Sequence, residues 1–595
     1  MVLAKISNAQ HQAVTRCQRS NSGLCLVLPV LMVGIGIIVP AAAQPILPQG
    51  SPVERMTPPV PLVTAPATGP VALPPPSSEV PDRPVWVASV MIEGVTAFPA
   101  AEIERLSADL VGPAVPLPKI DAARQAILQH YRSAGYALTT VSAKRDSAGA
   151  LRLIVIEGKI VSVKLQGDIG PAGTQVLRFL NRLTDPDNQP IRSDRLERYL
   201  LLAQDVPGVT LRAVLQPSGD QTGSMNLIAQ VNRTAVSGSI AFDNRTFEQT
   251  GPVQGLLAMN LNSFTEFGER TEFSFYHTFA NSQNFGQIST EMFIGSSGLR
   301  MKIYAGRGEL QPDGSLAAGG YAGSTTIFGT QFTYPVLRSR QQTLNVFAAF
   351  DALESEIDTG KPTLVRGSFD SLRVVRLGED YALSDTWLGT ELSGYNTLSF
   401  KVSEGLRLLG AGTTGTAPGS PRQHERSDFT KFTFEASRTQ SLFTPWDGAS
   451  VALMGLITGQ WTDDILPPAE QFYLGGLRFT RGYYSGQVPG DKALAATVEL
   501  QLNTSFDLPL IRTDDAIATQ FYIFYDWGET WQNQGSDSKT KVASAGGGTR
   551  LQITRHAELD LEALERFNRF PTGGASTGVS GLKDVGLYWR LVGRF

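Results

Sequence analysis

The densest run of residues suited to chemistry is Gly475-Gly476-Leu477-Arg478-Phe479-Thr480-Arg481-Gly482-Tyr483. Glycine lets a chain bend at positive φ, and Gly475, Gly476 and Gly482 are expected to supply such bends. Arg481 offers a planar five-donor fork that can clamp a carboxylate through two bonds; the alternative is a solvated loop arginine. No enzymatic constellation stands beside this run. The five histidines, His11, His130, His277, His424 and His556, are scattered and lack the His-Glu-x-x-His spacing of a zinc site. Gly546-Gly547-Gly548 is not followed by the Lys-Ser/Thr of a phosphate loop, so glycine packing or a bend in a sheet is expected there. A membrane-embedded lipase would need a Ser/His pair on one outer face, and none stands out. The expectation is a non-enzyme with no metal and no cofactor.

Composition bounds what could position these residues. The chain has 595 residues, 42% hydrophobic and 18% charged, with 59 glycines and 36 prolines. The charged share lies below the roughly 25% of soluble globular proteins. Acids and bases are spread along the chain to a net charge of −4, with no basic stripe, so nucleic acid is not an expected partner.

Residues 1–43 carry Lys5, Arg16 and Arg19 and no acid, then an apolar run from Leu24 to Val39 closed by Ala41-Ala42-Ala43. This is the pattern of a secretory signal peptide; the alternative, a membrane anchor, is disfavoured by Pro29 and the alanine site. Cys17 and Cys25, the two cysteines, both lie inside it, so a disulfide scaffold is not expected. Beyond Val39 no stretch approaches the roughly eighteen consecutive apolar residues of a membrane helix. Residues 44–84 hold 13 prolines and read as an extended linker, a tether in preference to a recognition segment.

Helical and strand periods then alternate. Trp86–Glu93 reads as a strand, Ala100–Leu110 as a helix, and Ile120–Ala134 as a second helix with Ile120, Ala123, Ile127, Tyr131 and Ala134 on one face. Strands Ala137–Arg145 and Leu151–Glu157 follow. The same order recurs as strand Ile160–Gln166, helices Gly173–Asn181 and Arg192–Gln204, and strands Val209–Pro217 and Ser224–Asn232. Gly94 and Gly167 each follow a first strand, 73 residues apart, which marks an internal repeat. Residues 85–158 and 159–233 are the two expected units.

Over residues 234–595 the helical period vanishes. Segments of about ten residues alternate apolar and polar, as would half-buried sandwich strands in water or, with the sense inverted, a transmembrane barrel with apolar residues toward lipid; the last strand decides for the barrel. Phe273, Phe275 and Phe279 alternate with Glu272, Ser274 and Thr278; Val498, Leu500 and Leu502 with Glu499, Gln501 and Asn503. Phe521, Ile523, Tyr525 and Trp527 share one parity, which turns Asp526 toward the lumen, where a lone charge would need a partner. In the last strand Val585, Leu587, Trp589, Leu591 and the terminal Phe595 share one parity. Such an ending resembles the signal by which outer-membrane barrels are recognised for assembly. At about 22 residues per strand and loop the tract holds about 16 strands.

Taken together, the run from Gly475 to Tyr483 resembles the sixth-loop motif, Val-Arg-Gly-Tyr or -Phe, of the Omp85 superfamily, and Phe524-Tyr525-Asp526-Trp527-Gly528 resembles its Asp-x-Gly strand motif. The tandem units resemble its POTRA modules. With two of them before one barrel, residues 85–595 resemble the two-partner secretion transporters, the hemolysin activator/secretion proteins. Thr480 stands where that family usually has valine. The fold class implied is mainly β: a C-terminal 16-stranded transmembrane β-barrel preceded by two periplasmic α+β POTRA domains.

The resemblance also implies that Arg481 pairs with Asp526, beside Gly528 on the barrel wall. It implies a pore that secretes a large exoprotein, captured unfolded by the POTRA modules at a sheet edge; residues 142–146 and 212–216 lie on candidate edge strands. Outer-membrane lipids and, during biogenesis, the barrel assembly machinery are the other expected partners, and the chain is expected to act as a monomer. Family members commonly carry a plug helix before the first module, where this chain has its proline-rich tract. The rival readings are an Omp85-type assembly factor or insertase, and a passive porin or receptor.

Overall fold

Strand and helix periods alternate up to residue 233, and there the computed structural model folds the chain into two units built alike. It describes residues 83–184, 189–219, 222–246, 250–280, 282–312, 320–360, 365–389, 392–414, 422–506, 516–534, 538–571 and 581–595. The expected signal peptide and nearly all of the proline-rich tract lie outside the described residues.

The first unit comprises β1 (Pro84–Val87), β2 (Ser89–Glu93), α1 (Ala100–Glu104), β3 (Gly112–Pro116), α2 (Leu117–Ser133), β4 (Thr140–Arg145) and β5 (Ala150–Ile156). β5 lies between a parallel β2 and an antiparallel β4. Ile120, Ala123, Ile127 and Tyr131 form the buried face of α2 and share one apolar cluster with Leu151, Leu153 and Val155 of β5. The second unit comprises β6 (Lys159–Gln166), α3 (Ala172–Leu180), α4 (Ser193–Gln204), β7 (Val209–Pro217) and β8 (Ser224–Arg233), with β8 between a parallel β6 and an antiparallel β7. Gly94 and Gly167 occupy equivalent places, each so close to a carbonyl of the central strand, Val155 or Val231, that a Cβ would collide with it.

Local chemistry moves three expected boundaries. The first strand breaks at Ala88, whose N–H donates to Gly149 O at 2.8 Å, and its leading half pairs as β1 with the unexpected β3. The helix expected to reach Leu110 tightens at Arg105 into a 3₁₀ turn, where the Ser107 hydroxyl donates to Glu104 O, a local bond that competes with the helical ladder. α2 starts at Leu117 because Pro118 fits a first turn that needs no N–H.

The barrel begins with β9 (Val236–Asp243), β10 (Gln254–Asn262), β11 (Arg270–Thr278), β12 (Gln283–Phe293), β13 (Arg300–Leu310) and β14 (Ala322–Arg338). β15 (Gln342–Thr359), β16 (Val365–Asp385), β17 (Gly394–Gly405), the two-residue β18 (Gly412–Thr413), β19 (Thr430–Phe443) and β20 (Ser450–Trp461) follow. A small hairpin of β21 (Phe472–Leu474) and β22 (Val488–Gly490) precedes β23 (Lys492–Phe506), β24 (Ile517–Trp531), β25 (Lys539–Thr554), β26 (Ala557–Arg566) and β27 (Val585–Arg594). β17 pairs directly with β19 and β27 closes on β9, so sixteen full strands form the ring, with β18 an added pairing on β16.

Its faces are inverted relative to a soluble protein. Phe275, Ile523 and Leu587 are 50%, 62% and 70% exposed, while Glu499 and Asp526 are 0% exposed. Backbone groups inside a bilayer must all be paired, and a closed antiparallel ring meets that demand. Among the described residues no helix is long and apolar enough to cross a membrane. The second α+β unit is bound to the near rim: Phe179 packs edge-on against Phe293 at 5.1 Å, Gln175 Nε2 donates to Gly295 O at 2.9 Å, and Arg338 grips Asp205 at 2.7 and 2.9 Å.

Candidate functional site

The connection between β20 and β23 turns back into the barrel. β21 and β22 form its neck, with Phe472 opposite Gly490 and Leu474 opposite Val488, and residues 475–487 form its tip. Gly475 and Gly476 hold φ values of 103° and 117°, as expected of bends. Gly482 is not among the positive-φ residues; Thr480 takes the left-handed place, at φ 50°, which is unusual for a β-branched side chain. Its hydroxyl accepts the Gly475 N–H at 2.7 Å and donates to Phe479 O at 2.7 Å. The Tyr483 N–H donates to Thr480 O at 3.0 Å and the Gly476 N–H to Tyr483 O at 3.1 Å, so local bonds hold the strained turn.

Gly482 is small for a different reason. It packs against β25, where a Cβ would stand 2.6 Å from Ser544 Cβ; its N–H donates to Ser544 Oγ at 3.2 Å and its carbonyl accepts Arg566 Nε. Tyr483 is fully buried, its hydroxyl donating to Ala543 O at 3.0 Å and accepting the Asn568 N–H at 3.3 Å. Gly528 faces the loop from β24, against Thr480 and Leu474.

Arg481 is 3% exposed. Its backbone N–H and Nε both donate to Asp526 Oδ2, at 2.7 and 3.0 Å, and Nη2 donates to Asp526 Oδ1 at 3.0 Å. Nη1 donates to Glu499 on β23, and Glu562 on β26 stands 3.9 Å away. One guanidinium therefore ties the loop tip to three strands of the wall.

Two further arginines balance these acids. Arg245, from the β9–β10 connection, donates to Glu562 Oε1 at 2.6 Å and to the carbonyls of Arg481 and Gly476 at 2.9 and 3.4 Å. Arg550 donates to Glu499 Oε1 at 2.8 Å. Each guanidinium lies over an inward aromatic ring: Arg481 over Phe524 at 3.6 Å, Arg550 over Tyr522 at 3.9 Å, Arg245 over Tyr588 at 4.1 Å. The Tyr522 hydroxyl shares its one proton between Asp560 and Glu562, at 2.9 and 3.0 Å. Breaking one partner out of so buried a set costs about 3–5 kcal/mol, since it strands charge away from water. The chemistry available here is a latch.

The structure thus brings together Gly475, Gly476, Thr480, Arg481, Gly482, Tyr483, Asp526 and Gly528. Glu499 and Glu562 give the same inward-parity signal as Asp526, flanked by outward Val498, Leu500 and Leu561. Arg245 lies in a connection where no period constrains a side chain.

Phe595, Leu591 and Trp589 lie apart from the latch, at the closing seam. Phe595 exchanges backbone bonds with Gly238 at 2.9 and 3.0 Å, and its ring covers Gly238, where a Cβ would collide with it. Leu591 pairs opposite Phe242, and the Trp589 N–H donates to Asn244 Oδ1 at 2.9 Å.

Comparison with known proteins adds the following. Residues 223–551 match the model of the haemolysin secretion/activation protein family ShlB/FhaC/HecB, and residues 85–158 match the ShlB-type POTRA domain. The heme/hemopexin transporter protein HuxB of Haemophilus influenzae strain 86-028NP is 21% identical over 464 residues, 75% of this chain and 77% of that protein. The outer membrane transporter CdiB of Escherichia coli is 22% identical over 448 residues, 73% of this chain and 71% of its own. The solved structure of CdiB from Escherichia coli superposes with a TM-score of 0.65 at 17% identity, covering 90% of this chain and 94% of that one. CdiB from Acinetobacter baumannii gives 0.58 at 15% identity, covering 87% and 91%.

Proposed function

The chain belongs to the haemolysin secretion/activation protein family ShlB/FhaC/HecB, and from that membership we propose how its parts share the work of secretion. It is an outer-membrane translocation pore of two-partner secretion, acting with a secreted exoprotein, its POTRA region in the periplasm. The assembly-factor reading gives way to that membership.

The periplasmic units, residues 85–158 and 159–233, take up the unfolded exoprotein by adding one of its strands to a sheet edge. β4 and β7 are both edge strands, and either can offer the unpaired backbone that strand addition needs. The exoprotein then crosses the barrel, residues 234–595, drawn by its own folding outside the cell. Arg481, bound to Asp526 and Glu499, fixes the lumen loop and so sets the width of the path; this is the observation that carries the assignment. Residues 1–43 direct export and are removed, and residues 44–84 tether. Phe595, Leu591 and Trp589 present the assembly signal to the barrel machinery, and the finished pore works as a monomer among outer-membrane lipids. Transport is its task, with no reaction of its own.

The test is quantitative proteomics of medium and outer membrane with and without this protein. Loss of one or two very large secreted proteins, with resident barrels unchanged, is expected. A general fall in outer-membrane barrels with an unchanged medium would instead establish an assembly factor.

A further inference from the structure

The lumen loop is held a second time, at its root and by other strands. Glu470 closes the 3₁₀ turn Pro468–Glu470 just before β21 and is 3% exposed. Its carboxylate accepts two bonds from Arg376 on β16, at 2.6 and 3.1 Å, and pairs with Lys431 on β19 at 2.7 Å. Its carbonyl accepts Lys431 Nζ at 2.7 Å and Gln460 Nε2 at 3.2 Å. Arg376 is steadied in turn by Asp351 on β15 at 2.5 Å and by Ser403 on β17 at 3.0 Å. Asp351 also accepts the Tyr304 hydroxyl, which passes over Gly329, where any side chain would block it. Two acids thus face two bases, and the balance exists only while Glu470 is in place.

Where these contacts fall on the ring matters more than their number. The loop leaves the wall between β20 and β23. Glu470 reaches β16, three strands to one side of that root, and Arg481 reaches Glu562 on β26, three strands to the other. From β16 to β26 is eight strands, half the ring. A segment fixed at one point can pivot about it; a segment fixed at two points this far apart cannot.

We propose that Glu470 is a positioning residue for transport: with Arg376 and Lys431 it forms a second latch that keeps the lumen loop braced across the pore. The loop clears the path only when this latch opens as well as the one at Arg481. The proposal rests on the assignment of the chain as a translocation pore, and its test is read without any exoprotein.

The full chain, purified and inserted into planar lipid bilayers, is compared as wild type, Glu470→Gln, Glu470→Asp and Glu291→Gln, with heat-modifiable migration as the check for a folded barrel. Glu470→Gln keeps the side-chain shape and removes the charge, and a severalfold rise in mean single-channel conductance is expected. Glu470→Asp, which restores the charge, should return conductance toward wild type. Glu291→Gln breaks an ion pair between the neighbouring wall strands β12 and β13, with Arg300 at 2.7 Å, outside the Glu470 cluster, so wild-type conductance is expected. A folded Glu470→Gln barrel with wild-type conductance overturns the proposal, as does an equal rise in Glu291→Gln. If Glu470→Gln yields no folded barrel, Lys431→Gln is read in its place, and wild-type conductance there is equally fatal. A rise in Glu470→Gln conductance, together with a secretome that loses nothing when this protein is removed, would uphold the brace and overturn the secretion assignment alone.

Discussion

Gly528 of β24 leaves a gap that the methyl of Thr480 fills: a Cβ on Gly528 would stand 2.8 Å from Thr480 Cγ2 and 2.9 Å from Leu474 Cδ1. Two residues earlier on the same face, Asp526 receives three bonds from Arg481. The strand therefore offers a recess and a carboxylate at the spacing at which the loop offers a bulge and a fork. Neither half is informative by shape or charge alone, because the recess brings the loop backbone close enough for the Arg481 N–H to reach Asp526.

Gly528→Ala tests the recess. The added methyl meets Thr480 and Leu474, both of them packed and neither the free end of a long side chain, so the loop must lift from β24. Secretion is expected to fall severalfold while a heat-modifiable barrel persists. Secretion at the wild-type rate would show that the loop tolerates displacement there.

Arg481→Ala removes the fork and leaves Asp526 and Glu499 facing each other's charge, at a cost of about 3–5 kcal/mol to the docked loop. Secretion should be abolished and the barrel should still reach the membrane. Arg481→Lys keeps the charge and cannot span Asp526 and Glu499 with a planar fork, so partial secretion is expected. Undiminished secretion by the alanine variant, measured in culture medium, would remove the anchor from the mechanism.

Thr480→Val asks what the hydroxyl adds. Both residues are β-branched and bear the φ of 50° equally, so the exchange isolates one group. Without Oγ1 the partly buried Gly475 N–H loses its acceptor, at a cost of about 1 kcal/mol, the low end for a donor left unpaired. Faster protease cleavage at residues 475–487 of the folded protein is the expected result, with secretion reduced and not lost. Unchanged cleavage would mean that the turn is held by packing alone.

The architecture was legible wherever a period spans many residues. Ile120, Ala123, Ile127 and Tyr131 marked a helix face, and the outward parity of Phe521, Ile523 and Tyr525 turned Asp526 inward, both as found. The latch was legible in part. Glu499 and Glu562 carry the same parity signal as Asp526, but each was one polar residue among many on inner faces. Arg245 and Glu470 lie in connections, where side-chain direction is set by tertiary contacts that no local pattern encodes. Gly482 exposes a further limit: glycine serves both bending and close approach, and only its neighbour Ser544 decides which. At Thr480 the strain of a left-handed turn fell on a residue whose propensity argues against it, because its hydroxyl closes that turn.

In the first periplasmic unit, acid should act through Glu157. Its carboxylate accepts the N–H groups of Thr96 and Ala97 at 2.9 and 3.0 Å, the Thr96 hydroxyl, and the Tyr131 hydroxyl at 2.6 Å. Burial alone would raise this carboxyl, but the bonds from Thr96, Tyr131 and Ala97 outweigh it and hold it below the ordinary glutamate value of 4.5. Burial, with Glu157 beside it, pushes the Tyr131 hydroxyl above its usual 10, so it stays a donor throughout. A depressed folded value means that the unfolded chain takes up the proton more readily. The stabilisation is therefore fully present above the ordinary glutamate range and is lost as pH falls through that range and below it. Hydrogen exchange of the full chain, corrected for intrinsic rates, should show β2, α2 and β5 losing protection on acidification across this window. Glu157→Gln should lower their protection at neutral pH and flatten its pH dependence, because an amide keeps the shape and has no proton to gain. An acid response in Glu157→Gln as steep as in the wild type would assign the sensitivity to another group.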